Sequence, residues 1–131
     1  MAGEKPKLGK KILIIEDERS MLEILKEKFV SEGFEVVTAM DGKAALGMAL
    51  VEHPDLIVLD ILLPVMDGLS FLQDLAKDKW GKEVPVAVYT NVGEARDVSK
   101  NMGANVYDFL PKAERGVNDL VASVKERLGI A

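Results

Sequence analysis

Four short apolar runs in this chain each lead to a residue able to do chemistry. Lys11–Ile15 (KILII) stops abruptly at Glu16, Asp17 and Glu18, and Leu56–Leu59 (LIVL) stops at Asp60. The run from Val84 to Tyr89 ends at Thr90, and the run from Val106 to Leu110 is followed, after Pro111, by Lys112. Crowded carboxylates raise one another's pKa unless a cation compensates. A hard cation such as Mg²⁺ takes one or two carboxylates together with waters and phosphate oxygens, and Asp17 with Asp60 supply such a partial set. Asp60 could then act as a nucleophile toward a phosphoryl group, since carboxylates form aspartyl phosphates in other enzymes. Transfer needs in-line positioning and neutralised equatorial oxygens, which Mg²⁺, the Lys112 ammonium and the Thr90 hydroxyl would provide.

These residues meet only if the chain delivers the ends of the four runs to one edge. After the first run, Met21, Leu25 and Phe29 recur at helical spacing, with Ser20 and Glu23 placed for a capping box and Gly33 at the stop. Phe34–Ala39 predicts a second strand, and Lys43–Glu52, closed by Pro54, a second helix. The unbroken LIVL run suits a strand buried on both faces. Pro64 and Gly68 mark a loop, and Leu69, Leu72, Leu75 and Ala76 give a third helix with Trp80 near its end as a packing anchor. Pro85 sits near the start of the fourth strand, where a missing donor is tolerated. A fourth helix is expected over about 94–102, with Ala95, Val98 and Met102 on one side. Val117, Leu120, Val121, Val124 and Leu128 give the clearest helix.

Five strands each followed by a helix imply right-handed crossovers and one parallel sheet covered on both faces. A closed barrel would need eight units, so an open, doubly wound α/β sheet is the economical fold. Ligands of such sheets bind beyond the carboxyl ends of the strands, where strand order reverses. Four of the five strands aim an acid, a hydroxyl or an ammonium at that edge, and the second ends in nothing reactive.

Composition bounds the rest. The chain has 131 residues, enough for one domain, and no cysteine, which excludes a disulfide scaffold and a thiolate metal site. Its net charge of −5 argues against nonspecific binding to nucleic acid or anionic membrane. No apolar run approaches a membrane span, and the polar, Lys-rich start has no secretory core. A cytoplasmic location is expected. Residues 1–10 are read as a flexible tail and 11–129 as the domain.

The stretch LIVLDILLPVMDG (Leu56–Gly68) resembles the phosphorylation-site signature of response-regulator receiver domains, with Asp60, Pro64 and Gly68 on its Asp, Pro and Gly positions. ILIIEDE (Ile12–Glu18) resembles the family's first strand and acidic pair, PVAVYTN its fourth strand with the switch Ser/Thr at Thr90, and DFLPK its fifth strand with a switch aromatic at Phe109 and the Lys at Lys112. The likeness runs from about Lys11 to Leu128.

The resemblance implies a (βα)5 flavodoxin-like fold of strand order 2-1-3-4-5 and a two-component phosphorelay switch. Asp60 would accept the phosphoryl group from a phosphohistidine of a sensor histidine kinase or phosphotransfer protein. Asp17 and Asp60 would hold Mg²⁺, with Glu16 acting through water and the Leu62 backbone carbonyl completing the set. Lys112 would pair with the phosphoryl oxygens, Thr90 would swing toward them, and Phe109 would turn inward behind it. The face made by the fourth helix, fifth strand and fifth helix would change, controlling a downstream effector or a dimer through that face. Self-phosphorylation and autodephosphorylation at Asp60 are the only catalysis expected, with no small-molecule turnover. No effector segment follows the last helix, as in a stand-alone regulator or a piece of a longer one.

The sequence departs from the family at three places. Ala113 follows Lys112 where the family has Pro, often after a cis bond. A non-proline cis bond costs about 3 kcal/mol, so a trans turn that places Lys112 differently is expected. Asn91 replaces a small residue, and Leu62 is apolar at a position that tunes the lifetime of the phosphoryl group. Tyr107 offers a second register for the switch aromatic, but that register leaves no ammonium in the site, so Phe109 with Lys112 is preferred. The plainer readings are solvated carboxylates at helix N-termini, a helix-capping Thr90, a solvated Lys112, and a surface-loop role for His53, the sole histidine. A constitutive protein-binding pseudo-receiver is the alternative function.

Overall fold

The computed structural model describes residues 8–93, 95–100 and 102–130. The elements alternate as β1 (Lys11–Ile15), α1 (Arg19–Ser31), β2 (Glu35–Ala39), α2 (Gly42–Glu52), β3 (Leu56–Leu59), α3 (Gly68–Leu75), β4 (Pro85–Thr90), α4 (Ala95–Lys100), β5 (Asn105–Pro111) and α5 (Val117–Arg127). The five strands form one parallel sheet of order β2-β1-β3-β4-β5. This is the (βα)5 flavodoxin-like arrangement, and the order reverses between β1 and β3.

Alternation along the strands builds the two core layers. Leu13 and Ile15 of β1 face Ala45 and Ala49 of α2 and Phe71, Leu72 and Leu75 of α3. Ile12 and Ile14 face Leu22, Leu25 and Phe29 of α1 and Leu120, Val121 and Val124 of α5. With both faces covered, β1 and β3 have no polar side to show, which is why they read as unbroken apolar runs. No described helix is long and apolar enough to cross a membrane.

Three local expectations are corrected. The capping box of Ser20 and Glu23 is not formed, because α1 begins two residues earlier and Glu18 is its N-cap without a side-chain bond. The Glu18 N–H is taken by Glu16 Oε2 at 3.0 Å, so the start of the helix is set by the acidic turn before it. On α4 the inward residue is Ser99 rather than Val98, which is exposed. The small Ser99 side chain satisfies itself on the Arg96 carbonyl at 3.0 Å, which lets a short helix lie close to the sheet. The outer residues 94 and 101 of the expected helix lie outside the described residues. Trp80 lies in the turns that follow α3 rather than near its end, but it packs against the core as expected, and its ring stacks on His53 at 4.2 Å between centroids. His53 caps α2 in the left-handed region at φ 46° and is exposed. Of the ten residues read as a tail, 1–7 lie outside the described residues, and the Leu8 N–H bonds the Gly33 carbonyl at 3.2 Å.

β5 carries an irregularity that sets its side-chain order. Val86 pairs with Val106, but the next residue, Ala87, pairs with Asp108, so Tyr107 is the extra residue of a bulge. Tyr107 joins the layer under α5, while Phe109 joins the layer under α2 and α3. Ser123 of α5 donates to Asp108 Oδ2 at 2.7 Å and lies 3.2 Å from the Tyr107 hydroxyl. Burial pushes the Tyr107 phenol up to about 12, against the Ser123 hydrogen bond that favours the phenolate. The folded state thus prefers the neutral phenol. Its contribution to stability holds below the ordinary value of 10.0 and is lost as pH rises through about 12. Phenolate absorbance during an alkaline titration is expected to show a step near pH 12 in the folded protein that Tyr107→Phe removes.

Candidate functional site

Backbone ladders deliver the candidate residues to one edge. The Glu16 N–H bonds the Ala39 carbonyl at 3.1 Å, and the Asp60 N–H bonds the Ile15 carbonyl at 3.0 Å, so both acids are fixed one residue past their strands. Thr90 is the last residue of β4, and its carbonyl accepts the Lys112 N–H at 3.0 Å. The side chains then converge. Thr90 Oγ1 donates to Asp60 Oδ1 at 2.6 Å, and Lys112 Nζ donates to Asp60 Oδ2 at 3.0 Å and to Glu16 Oε1 at 2.5 Å. The Leu62 N–H approaches Asp60 Oδ1 at 3.4 Å. Glu16 is 2% exposed and Asp60 8%, with Thr90 fully buried and Asp17 open to solvent.

Carboxylate oxygens of Glu16, Asp17 and Asp60 lie within 4.8 Å of one another. Burial pushes the Glu16 carboxyl above the usual carboxylate range, although the Lys112 hydrogen bond and charge and the Glu18 N–H pull it down. Burial also works against the Lys112 ammonium, but hydrogen bonds and charge from Glu16 and Asp60 outweigh it and raise its pKa above 10.5. The ammonium and the buried acids are therefore mutually dependent. Three oxygen donors with one open acid form a hard-cation donor set, the chemistry Mg²⁺ takes.

The turn after Lys112 has no cis bond; the described residues hold none. The trans turn still brings the ammonium to Asp60. The Glu114 and Arg115 N–H groups fold back on the Pro111 carbonyl at 3.1 and 2.9 Å, and the Tyr89 hydroxyl clamps the Arg115 carbonyl at 3.0 Å.

The loop after Asp60 is pressed tightly onto its neighbours. A Cβ at Gly68 would stand 2.6 Å from Ile61 Cα and 2.8 Å from the Asp60 carbonyl oxygen, so only glycine lets α3 start there. Gly42 meets the Met66 carbonyl oxygen in the same way, packing the start of α2 against this loop. Phe109, 5% exposed, lies in the layer beneath, with the Arg96 guanidinium 5.0 Å from its ring centroid.

Residues 12–125 match the family model described as the response regulator receiver domain. The chain belongs to that family. PhoP, the alkaline phosphatase synthesis transcriptional regulatory protein of Bacillus subtilis, is 36% identical over 126 residues, covering 95% of this chain and 52% of PhoP. The chain thus spans about half the length of that relative. The receiver domain of sensor histidine kinase PA1611 from Pseudomonas aeruginosa PAO1, solved with a magnesium ion coordinated in its active site cleft, superposes with a TM-score of 0.81. It is 26% identical, and the match covers 92% of this chain and 98% of that one. The phosphorylated cyanobacterial phytochrome response regulator RcpA superposes with a TM-score of 0.71 at 27% identity, over 90% of each chain.

Every receiver residue singled out in the sequence sits at the carboxyl edge of the sheet or directly behind it. Glu16, Asp17, Asp60, Thr90 and Lys112 come together, Leu62 lies beside Asp60, and Phe109 packs in the layer beneath. Sequence reasoning missed Tyr89, Gly42 and Arg96. An aromatic directly before Thr90 signalled Tyr89 faintly. Nothing local signals Gly42 or Arg96, whose partners are distant in sequence.

Val65, beside the site, holds φ 67° with 79% of its surface exposed. A β-branched residue in that region is strained and here gains little packing in return. Val65→Asn is expected to raise stability by about 1 kcal/mol, read as a higher urea midpoint with an unchanged slope. Lys112→Met, which strands buried carboxylates, should cost about 3 kcal/mol in the absence of divalent cations. Adding Glu16→Gln should recover most of that loss. A single variant as stable as the parent would show the ammonium to be merely solvated.

Proposed function

We propose that this receiver is a phosphorylation switch whose acceptor is Asp60. The observation that carries the reading is the double hold on one carboxylate, by the Lys112 ammonium at 3.0 Å and the Thr90 hydroxyl at 2.6 Å, beside an acid cluster suited to a cation. An acceptor needs donors already aimed where phosphoryl charge will lie.

Asp17 and Asp60 would hold Mg²⁺, with Glu16 engaged through water and the Leu62 carbonyl completing the set. When bound, Mg²⁺ supplies charge neutralisation for the phosphoryl oxygens. The magnesium in the PA1611 receiver and the phosphorylated state of RcpA support this reading. In the transfer, an Asp60 carboxylate oxygen forms a bond to phosphorus as the phosphorus–nitrogen bond of a donor phosphohistidine breaks, leaving the donor imidazole and an aspartyl phosphate. Lys112 Nζ then pairs with a phosphoryl oxygen. Thr90 redirects its hydroxyl from the carboxylate to another, and Phe109 follows on the neighbouring strand. Hydrolysis of the acyl phosphate at the same residues resets the switch, and no turnover of an external small molecule is assigned.

Partners on this reading are a sensor histidine kinase or phosphotransfer protein on the donor side. On the output side is an effector controlled through α4, β5 and α5, the same face serving any dimer. Residues 11–129 form the switch with 1–10 as its tail. It works in the cytoplasm without contacting nucleic acid or membrane itself.

Incubation with Mg²⁺ and acetyl phosphate is expected to add one phosphoryl group by intact-protein mass, lost on hydroxylamine treatment and absent in Asp60→Asn. Persistent lack of an adduct, with no Mg²⁺-dependent response to beryllofluoride, would favour a constitutive protein-binding module on the same fold.

A further inference from the structure

The stretch from Thr90 to α4 is tied to the site at both ends. At its start, the Val92 N–H reaches Thr90 Oγ1 at 3.4 Å, the same hydroxyl that donates to Asp60 at 2.6 Å. Val92 packs against the layer that contains Phe109. At its far end, the Arg96 N–H bonds the Gly93 carbonyl at 3.2 Å, and the Arg96 guanidinium lies 5.0 Å from the centre of the Phe109 ring. Phe109 stands opposite Val88 of β4, which is two residues before Thr90, and lies three residues before Lys112, just past the end of β5. Asp60, Thr90, Val92, Arg96, Phe109 and Lys112 therefore lie on one path, in which Val92 to Arg96 and Phe109 to Lys112 are joined only along the chain. Arg96 to Phe109 is the one link in it made by an exposed side chain.

We infer that Arg96 is a positioning residue: its guanidinium, laid over Phe109, draws α4 against β5 and so holds the Thr90 hydroxyl on the acceptor. The inference rests on the reading of Asp60 as phosphoacceptor and adds to it a residue outside the acid site. A guanidinium over an aromatic face is attracted by the ring quadrupole, and a neutral chain of the same length is not. With that contact gone, Phe109 loses its cover and the 91–93 segment gains slack. The Thr90 hydroxyl is then held only by Asp60 itself, the group whose oxygens it must leave to meet a phosphoryl group. Arg96 has no part in the acid cluster. Its loss therefore acts on phosphoryl recognition and not on cation binding.

The test uses the whole chain, with Mg²⁺ titrated alone and beryllofluoride titrated at saturating Mg²⁺. Arg96→Ala and Arg96→Met are expected to weaken beryllofluoride binding by about two- to five-fold, the size of an exposed cation–π contact, with Mg²⁺ affinity unchanged. Arg96→Lys, which keeps the charge, should restore most of the affinity. In a Thr90→Ala background the Arg96 substitutions should have no further effect, because the link they act through is absent. Parental beryllofluoride affinity in Arg96→Ala, equal loss of Mg²⁺ affinity, or full additivity with Thr90→Ala would each overturn the inference while leaving Asp60 as acceptor. Failure of the parent chain itself to bind beryllofluoride would overturn the acceptor reading and the inference with it.

Discussion

Carboxylates from the ends of two adjacent strands are brought within 4.8 Å of one another, and much of the structure answers to that crowding. Like charges so close, with Glu16 and Asp60 mostly out of water, demand a compensating cation. The Lys112 ammonium answers first, reaching across from the end of β5 to both acids. The contact joins residues 96 and 52 positions apart in sequence, so it closes the sheet at its functional edge as well as balancing charge. A hydrophobic replacement would strand the acids, so the ion pairing is a requirement of the site rather than a source of net stability. The proposed divalent cation would relieve the same repulsion from the solvent side, where Asp17 is exposed.

The local irregularities cluster around this constraint. Glu18 gives its N–H to Glu16 and begins α1 without a side-chain cap, so helix initiation yields to acid placement. Gly68 and Gly42 let the Asp60 loop be pressed between two helices. Val65 accepts a left-handed backbone in that loop. Strain persists where the surrounding packing over-determines it, and the two glycine contacts hold this loop at Ile61 and at Met66. The turn after Lys112 needs no cis bond because Tyr89 and the Pro111 carbonyl hold it from two sides.

Much of the architecture was legible in the residues. The continuous apolar runs gave β1, β3 and β4 to within a residue, because strands buried on both faces leave no polar alternation to blur their ends. The helical faces of α1 and α5 followed from spacing. Where the prediction slipped, the competing cause was tertiary. Ser20 lost its capping role to the Glu16 turn, and on α4 a small polar residue went inward because the helix sits close to the sheet.

The residue types by themselves determined that an acid, a hydroxyl and an ammonium end strands of one parallel sheet. They also named Asp60 as the candidate nucleophile, since parallel strands deliver their carboxyl ends to a common edge. The register with Lys112 already favoured Phe109 over Tyr107 as the aromatic behind that edge, and the tertiary structure alone supplied the device that puts it there. Tyr107 and Phe109 are two apart, so regular alternation would set both on one face. The bulge at Tyr107 breaks that alternation, keeping Tyr107 and Asp108 on the α5 side, where Ser123 meets them, and turning Phe109 under Arg96. A one-residue shift in pairing moves every later side chain to the other face of the sheet. No local propensity carries that information, because it depends on a serine of α5 and the register of β4.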